Sequence, residues 1–245
     1  MTFRPRGIKN IIIFTAFKII EKPPMVRNKL TYVLLALFLL MMLAPSAKAQ
    51  RIRGTVIAGG GLTQVEGDEI KGWKQFGFTL GLGAIVPFAG NWGANIETLF
   101  TQKGSYQRSQ FPGDSLTDEY RLRLNYFEVP VYVSYTDKDL MSFGLGAYWG
   151  RLVGASEKEH SGNQIPYSDS VAFNDNDIGF LVDAKVRVWK RLHLGVRYTQ
   201  SLTMIREREF FPQGKAPLTR KQFNQVINLR FIYIFNEPPR EVVPR

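Results

Sequence analysis

Charged side chains recur within segments of the chain that are otherwise strongly apolar. Acids and bases such as Glu128 and Arg197 alternate there with large apolar residues, so the charges occupy the opposite face of each segment. Charges that leave water together must be paired, because an isolated buried charge is very costly. The pattern predicts an ion-pair network in the interior of the fold, formed by Glu97, Glu128, Asp183, Lys185, Arg187, Arg197 and Arg230.

Two roles are open for such a network. It can fill and close a narrow interior, or it can form a gated path for protons or ions. Within it, we expect Glu128 to pair with Arg197 or Arg230, because all three residues lie at similar distances along the chain from a short turn.

Residues suited to catalysis or metal binding are sparse. Of the two histidines, His160 stands beside Ser161, but polar loops of this composition produce Ser/His/Asp matches by chance. No histidine pair has i, i+4 spacing, no calcium-loop pattern occurs, and GGG at 59–61 precedes no helix that could cradle phosphate. The absence of cysteine excludes a disulfide framework, a thiolate metal site and a cysteine nucleophile. We therefore expect neither an enzyme nor a cofactor.

The elements that would position these charges are β-strands. After Gln50 apolar residues alternate with polar or small ones, as from Asp177 to Val188, and no window shows a convincing amphipathic helix. Eight such runs occur, at 52–64, 74–87, 91–106, 120–135, 140–154, 175–188, 191–203 and 222–235.

The connections between these runs alternate between short and long. Those after the second, fourth and sixth runs are tight (PFAGN, TDKDL and WKR), and the others are longer and polar. This alternation around an even number of antiparallel strands is typical of outer-membrane barrels. The sequence thus predicts an all-β fold, an eight-stranded antiparallel up-and-down transmembrane β-barrel with short periplasmic turns and longer extracellular loops. Residues 50–235 would form it, and 236–245 would be a periplasmic tail.

A soluble barrel of the lipocalin kind, which also has eight strands, is the alternative. It would bury its apolar face, whereas here the polar face is rich in glycine and small residues and suits a narrow packed interior. Aromatic residues near the strand ends predict the two interfacial bands of a lipid-embedded barrel. They are Trp73, Phe76, Tyr126, Trp149 and Tyr198 at the loop ends, and Phe88, Trp92, Tyr135, Trp189 and Tyr233 at the turn ends.

Residues 25–49 have the three parts of a secretory signal peptide. A basic start is followed by an apolar run at 30–43 and by the cleavage site Ala47-Lys48-Ala49 before Gln50. Residues 1–24 precede this complete signal and are interpreted as an over-extended N-terminus, the alternative being a long n-region of the same signal. Eight of the 32 Lys and Arg residues and one of the 21 Asp and Glu residues lie in 1–49, so the net charge of +11 falls to +4 from Gln50 onward and does not indicate nucleic acid. We expect export to the cell outer membrane.

The fourth run, RLRLNYFEVPVYVSY, contains Glu128 and Pro130. Its apolar residues change face at Tyr126 and Phe127, which predicts a β-bulge near the outer membrane boundary, where a proline is tolerated. Glu128 then points into the barrel.

Distinctive segments extend over nearly all of the chain from Gln50. They include SFGLGAYWGRLVG, the motif Tyr126-x-Glu128-Val129-Pro130, and Asp177-Ile178-Gly179 at the start of the sixth run. Together they resemble the PorT-type outer-membrane β-barrel family of Bacteroidota. One departure is that FIYIF, where many such barrels end, is followed by NEPPREVVPR. The resemblance implies the fold and the compartment. Functions in that family are mixed: one founding member serves type 9 protein secretion, and many relatives are called porins on fold alone.

Two functions remain open. The first is a small closed barrel with a structural or interaction role, accessory to protein secretion or surface assembly; the alternative is a porin passing small solutes. Eight strands enclose an interior that side chains fill, which favours the first. The expected partners are outer-membrane lipid and, through the extracellular loops, lipopolysaccharide or envelope proteins. Lipopolysaccharide phosphate is a candidate ligand for a group of loop bases, with plain exposure as the alternative: Arg206, Arg208, Lys215, Arg220 and Lys221.

Overall fold

The computed structural model describes residues 52–68, 70, 72–107, 120–159, 163–165, 173–210 and 218–237. The expected leader, the segment before it and most of the tail lie outside these ranges, so their boundaries stay predictions. His160, Ser161 and Lys215 also lie outside them.

The described chain forms ten β-strands. They are β1 (Arg53–Glu66), β2 (Gln75–Ala89), β3 (Trp92–Gln107), β4 (Tyr120–Asp137), β5 (Met141–Glu159), β6 (Asn163–Ile165), β7 (Asn176–Trp189), β8 (Leu192–Ser201), β9 (Arg206–Phe210) and β10 (Leu218–Ile234). In the described ranges no helix is long and apolar enough to cross a membrane. The eight expected strands are confirmed, with ends that move by a few residues. The short strands β6 and β9 were not expected; they pair with β5 and β10 at the loop end.

Eight of the strands close into a ring. Its order is β1-β2-β3-β4-β5-β7-β8-β10, and β1 pairs antiparallel with β10 from Thr55 and Ile234 to Glu66 and Phe223. Following paired residues once around the ring from Gly54 leads back to Gln64, ten residues further along β1. Such a stagger requires strands tilted by roughly 35–45°, around an interior just wide enough for side chains.

The outer surface of the ring is a band of exposed apolar side chains. Leu145 is 65% exposed and Leu82 62%, whereas the inward residues of the same strands are polar or small. This is the inverse of a soluble barrel and is the arrangement that lipid requires. Aromatic contacts lie at both ends of the band: Trp92 with Tyr135 at the turn end and Trp73 with Tyr198 at the loop end. Tyr126 was wrongly expected in the loop-end band, because its ring is fully buried inside the barrel.

The strand pair β4–β5 extends beyond the apolar band. Outward residues there are polar, such as Arg123 and Ser156, while Leu122 and Leu124 point inward and are fully buried. They pack with Val65, Tyr126, Phe173 and Ile205 in an apolar cluster under the loops. Apolar residues therefore change face along β4, as expected, but they do so because the surroundings change from lipid to water, and the β-bulge expected within β4 is wrong.

The irregularity predicted near Tyr126 lies in the neighbouring strand. The pairing of β4 with β5 shifts between Asn125, opposite Gly154, and Tyr126, opposite Leu152. Val153 is therefore the extra residue, and the bulge is in β5. Glu128 lies on the inner face of β4 and is 4% exposed.

Candidate functional site

Four charged side chains meet in the turn-side half of the lumen. Arg197 of β8 donates two hydrogen bonds to Glu97 of β3, at 2.6 and 3.0 Å, and one from Nε to Asp183 of β7 at 3.0 Å. Arg230 of β10 donates to Glu97 at 3.2 Å and also to Asp183. All four residues are at most 4% exposed. We call this group the lower cluster; each guanidinium bridges both carboxylates, which is the geometry of strong ion pairs.

Tyr132 of β4 lies beside the lower cluster, at a place where the neighbouring strand β5 carries glycine. Tyr132 Oη donates to Glu97 at 2.7 Å, and the Arg197 guanidinium lies 4.8 Å from the centre of the Tyr132 ring. A Cβ on Gly146 would come within 2.4 Å of Tyr132 Cβ, and one on Gly144 within 2.8 Å of its ring. The bare backbone of the neighbouring strand β5 is therefore what leaves room for the Tyr132 ring on the inner face of the wall.

A second group lies closer to the loops and is centred on Lys103 of β3. Its Nζ is 2.6 Å from Glu128 Oε1 and 2.9 Å from Asp177 Oδ2. The contact with Glu128 is an ion pair rather than a well-aligned hydrogen bond, since Oε1 has no hydrogen-bond partner. The ammonium also lies 5.0 and 4.4 Å from the ring centres of Tyr126 and Tyr148. We call Lys103, Glu128 and Asp177, with these two tyrosines, the upper cluster.

Asn224 of β10 joins the upper cluster to the opposite wall. Its amide donates to Asp177 Oδ2 at 3.1 Å and to Tyr126 Oη at 3.4 Å. Tyr148 Oη lies 3.2 Å from Ser201 Oγ, which in turn accepts the backbone N–H of Asn224 at 3.2 Å. Contacts of the upper cluster thus link β3, β4, β5 and β7 to β8 and β10.

The expected partners of Glu128 were wrong. Arg197 and Arg230 bind Glu97 and Asp183, and Glu128 pairs with Lys103, a residue that the sequence reasoning missed. The physical reason is the ten-residue stagger, because equal distances from the turns do not mean equal heights in a tilted barrel. The sequence did indicate that Lys103 faces inward, because it lies six residues from Glu97, an even number, and therefore on the same face of β3.

A third group of hydrogen-bonded side chains lies on the loop side of the apolar band. Arg206 was expected to be an exposed loop base, and that expectation is wrong. The residue is 3% exposed and donates hydrogen bonds to both carboxylate oxygens of Glu157, at 2.7 and 3.0 Å. Tyr120 Oη donates to Glu157 at 2.7 Å. With the apolar cluster beside it, this group covers the lumen at the loop end.

The other two expected members lie apart, at the turn end. Arg187 Nε is 3.7 Å from Glu237, a residue of the tail, and Glu237 also lies 2.9 Å from His193 Nε2. Lys185 is 6% exposed and, among the described residues, forms no ion pair within 4 Å. Among the described residues, the lower cluster has two acids and two bases, so Lys185 adds a base to it, whereas the upper cluster has two acids and one base.

The chemical effect of this arrangement is that acidic and basic side chains form ion pairs across the narrow lumen. Within the described ranges no group of three His, Asp or Glu residues is placed to hold a metal ion. Hydrogen bonds join strands that face each other in the ring, Glu97 of β3 with Arg197 of β8 and Tyr126 of β4 with Asn224 of β10. The side chains thus meet across the full width of the lumen.

Among solved structures, the chain is similar to Ail, the attachment invasion locus protein of Yersinia pestis, in complex with the heparin analogue sucrose octasulfate (12% identity, TM-score 0.41, 74% of this chain and 99% of that chain). It is also similar to Neisserial surface protein A (13%, 0.42, 74% and 95%) and to a major outer membrane protein from Thermus thermophilus (11%, 0.43, 75% and 99%). A search of curated proteins found no match.

The family model described as outer membrane protein beta-barrel domain matches residues 50–207. That match covers more than half of the chain, and the strands within it form the greater part of the closed, apolar-surfaced ring. The protein therefore belongs to the outer membrane protein beta-barrel domain family and resides in the outer membrane.

Proposed function

We propose that the protein is a small closed barrel with a structural or interaction role in the outer membrane. Within its family we assign it to the PorT-type barrels of Bacteroidota, on the motifs around Glu128 and Asp177, and we propose that it is accessory to protein secretion or surface assembly. The observation that carries the closed state is the bonding of opposite walls, with Glu97 and Arg197 only 2.6 Å apart at their closest atoms.

Opening this lumen would be costly. For a solute to pass the lower cluster, Arg197 and Arg230 must leave both carboxylates. To pass the upper cluster on the same path, Lys103 must leave Glu128 and Asp177. Breaking a buried pair so that a charge is left alone typically costs about 3–5 kcal/mol. Two such layers in series, with the Glu157–Arg206 group above them, support a barrel that is closed at rest.

A partner role is supported by the part of the barrel that extends beyond the lipid. The walls above the apolar band carry outward Arg123, Lys158 and Gln102, which suits contact with headgroups or proteins rather than acyl chains. Lipopolysaccharide phosphate is the ligand chemistry that such bases fit, because phosphate oxygens accept hydrogen bonds from Arg and Lys. Envelope proteins that contact the loops are the second class of proposed partner.

Single-channel recording in planar bilayers tests the closed state. The wild-type barrel, from Gln50 onward, is expected to give no stable open steps. The double variant Arg197→Ser, Arg230→Ser removes both guanidinium groups and is expected to give small steps. The matched control Arg123→Ser removes an outward base and should behave as wild type.

Folding of each variant is checked by heat-modifiable migration on gels, so that a silent variant is distinguished from an unfolded one. Stable steps of porin size from the wild type would refute the closed barrel and favour the porin alternative. The interaction role is tested separately in intact cells, with a photo-crosslinker at Gln107 beside the loops and a control position at Lys138 in a periplasmic turn. Adducts with one envelope component from Gln107 and none from Lys138 are expected; equal labelling at both positions would count against loop-mediated assembly.

A further inference from the structure

The turn end of the lumen holds a cavity that the charge clusters do not fill. Its volume is about 80 Å³, and it is lined by residues of the turns after β2 and β4 and by Lys185, His193 and Glu237. A water molecule occupies about 30 Å³ of liquid, so the cavity has room for a small polyatomic ion. Hydroxyl groups of Ser134, Thr136 and Ser142 also line it.

Lys185 is the exceptional charge of the lumen. It is 94% buried, yet among the described residues its ammonium has neither a hydrogen bond nor an ion pair, whereas Lys103 has two carboxylates within 3 Å. The two carboxylates whose charges act on Lys185, Asp183 and Glu97, are already bridged by Arg197 and Arg230. The lower cluster together with Lys185 thus has three bases and two acids, and Lys185 is the base without a carboxylate partner among the described residues.

Neighbouring strands bring further polar groups to the same place. Ser142 of β5 is directly opposite Lys185 in the β5–β7 pairing, and its Oγ lies 2.9 Å from Thr136 Oγ1. His193 of β8 is directly opposite Arg187, one inward position closer to the turn than Lys185. An ammonium and hydroxyl donors therefore converge on one side of the cavity, as in sites that bind oxyanions.

The remaining charges around the cavity do not neutralise Lys185. Glu237 lies beside His193 and near Arg187, and Asp139 is a solvent-exposed turn residue. Arg53, at the start of β1, adds a further positive charge to the lining. The uncompensated charge in the buried part of the cavity is therefore positive.

We propose that this cavity binds a small oxyanion from the periplasmic side, with Lys185 as its principal ligand and Ser142 as a hydrogen-bond donor. The chemistry fits a carboxylate, such as an acidic group of a periplasmic peptide, or a phosphate. The bound anion supplies the missing acid of the lower lumen. This site is separate from the closed state of the barrel and does not depend on it.

The test measures how oxyanions change the unfolding temperature of the full barrel in neutral detergent micelles. Sodium phosphate and sodium acetate are titrated in separate arms against sodium chloride at constant ionic strength, and tryptophan fluorescence reports unfolding. We expect a saturable rise for the wild type in at least one arm. A rise with phosphate alone would indicate a phosphate ligand. A rise with acetate alone, or with both anions, would indicate a site that accepts a carboxylate.

Two variants separate this site from general salt effects on stability. Lys185→Met removes the buried cation, so the saturable rise should disappear or its half-effect concentration should increase at least about ten-fold. In chloride alone the same variant should unfold at a higher temperature than wild type, because the unpaired cation is gone. Lys138→Met, in an exposed turn at the same end, should keep the wild-type response. A wild-type response no larger than that of Lys185→Met, in both arms, would overturn the proposal.

Discussion

Replacing Lys103 by methionine is the sharpest test of the upper cluster. The substitution keeps most of the length and the apolar stem of the side chain but removes an ammonium that lies 2.6 Å from Glu128 and 2.9 Å from Asp177. Two buried carboxylates then face each other without a cation. We expect a loss of about 3–5 kcal/mol in the free energy of unfolding, as for other buried pairs that lose one partner.

Glu128→Gln should cost less than Lys103→Met. Lys103 keeps Asp177 and Tyr148, and the cluster changes from one net negative charge to neutral. A loss of about 1–3 kcal/mol is expected, which is the typical cost of leaving a buried polar group without its partner. In the Lys103→Met background the same change should be neutral or stabilising, because it removes one of two unpaired acids. The two substitutions should therefore be coupled by more than about 1 kcal/mol.

Urea unfolding from lipid vesicles, followed by the emission of the four tryptophans, measures these free energies. Lys138→Met in an exposed turn is the control and should stay within about 0.5 kcal/mol of wild type. If Lys103→Met is as mild as this control, or if its cost and that of Glu128→Gln simply add, Lys103 is not the partner of Glu128.

Three further outcomes are expected. Leu145→Arg places a charge in the exposed apolar band and should cost about 2–4 kcal/mol in vesicles, whereas Ser156→Arg, outward but above the band, should be nearly neutral; equal costs would contradict the lipid assignment. Gly146→Ala should destabilise by about 1–3 kcal/mol, because its Cβ would lie 2.2 Å from the Val131 carbonyl, while Gly154→Ala, with 3.4 Å to its nearest neighbour, is the control. Mass spectrometry of the protein extracted from outer membranes should give Gln50 as the first residue, and a chain that retains residues 30–43 would refute the signal peptide.

The strands were predictable because lipid and lumen impose opposite demands on alternate residues. The period of two in β7, with Ile178 and Val182 facing out and Asp183 facing in, is visible in the sequence and needs no tertiary information. The same alternation placed Glu97, Glu128, Arg197 and Arg230 on the inner face.

Partners within the lumen were not predictable from strand positions alone. The match of Lys103 to Glu128 depends on the stagger of the closed ring, which no single strand encodes. We missed the inward position of Tyr126 and the burial of Arg206 for a different reason. Both residues lie where the barrel wall extends beyond the lipid, and there an aromatic or basic side chain does not indicate which face of the strand is exposed to water.

The ion pairs of the lower cluster also bear on how the barrel assembles. Glu97 and Arg197 are 100 residues apart in the chain, and Glu97 and Arg230 are 133 apart. A chain that crossed the bilayer one strand at a time would carry Glu97 through hydrocarbon long before β8 and β10 could bring its cations, at a cost of several kcal/mol. Insertion in step with closure of the β1–β10 seam avoids that intermediate. Such non-local closure is slow, so the buried charges favour a late, concerted crossing of the membrane over a strand-by-strand one.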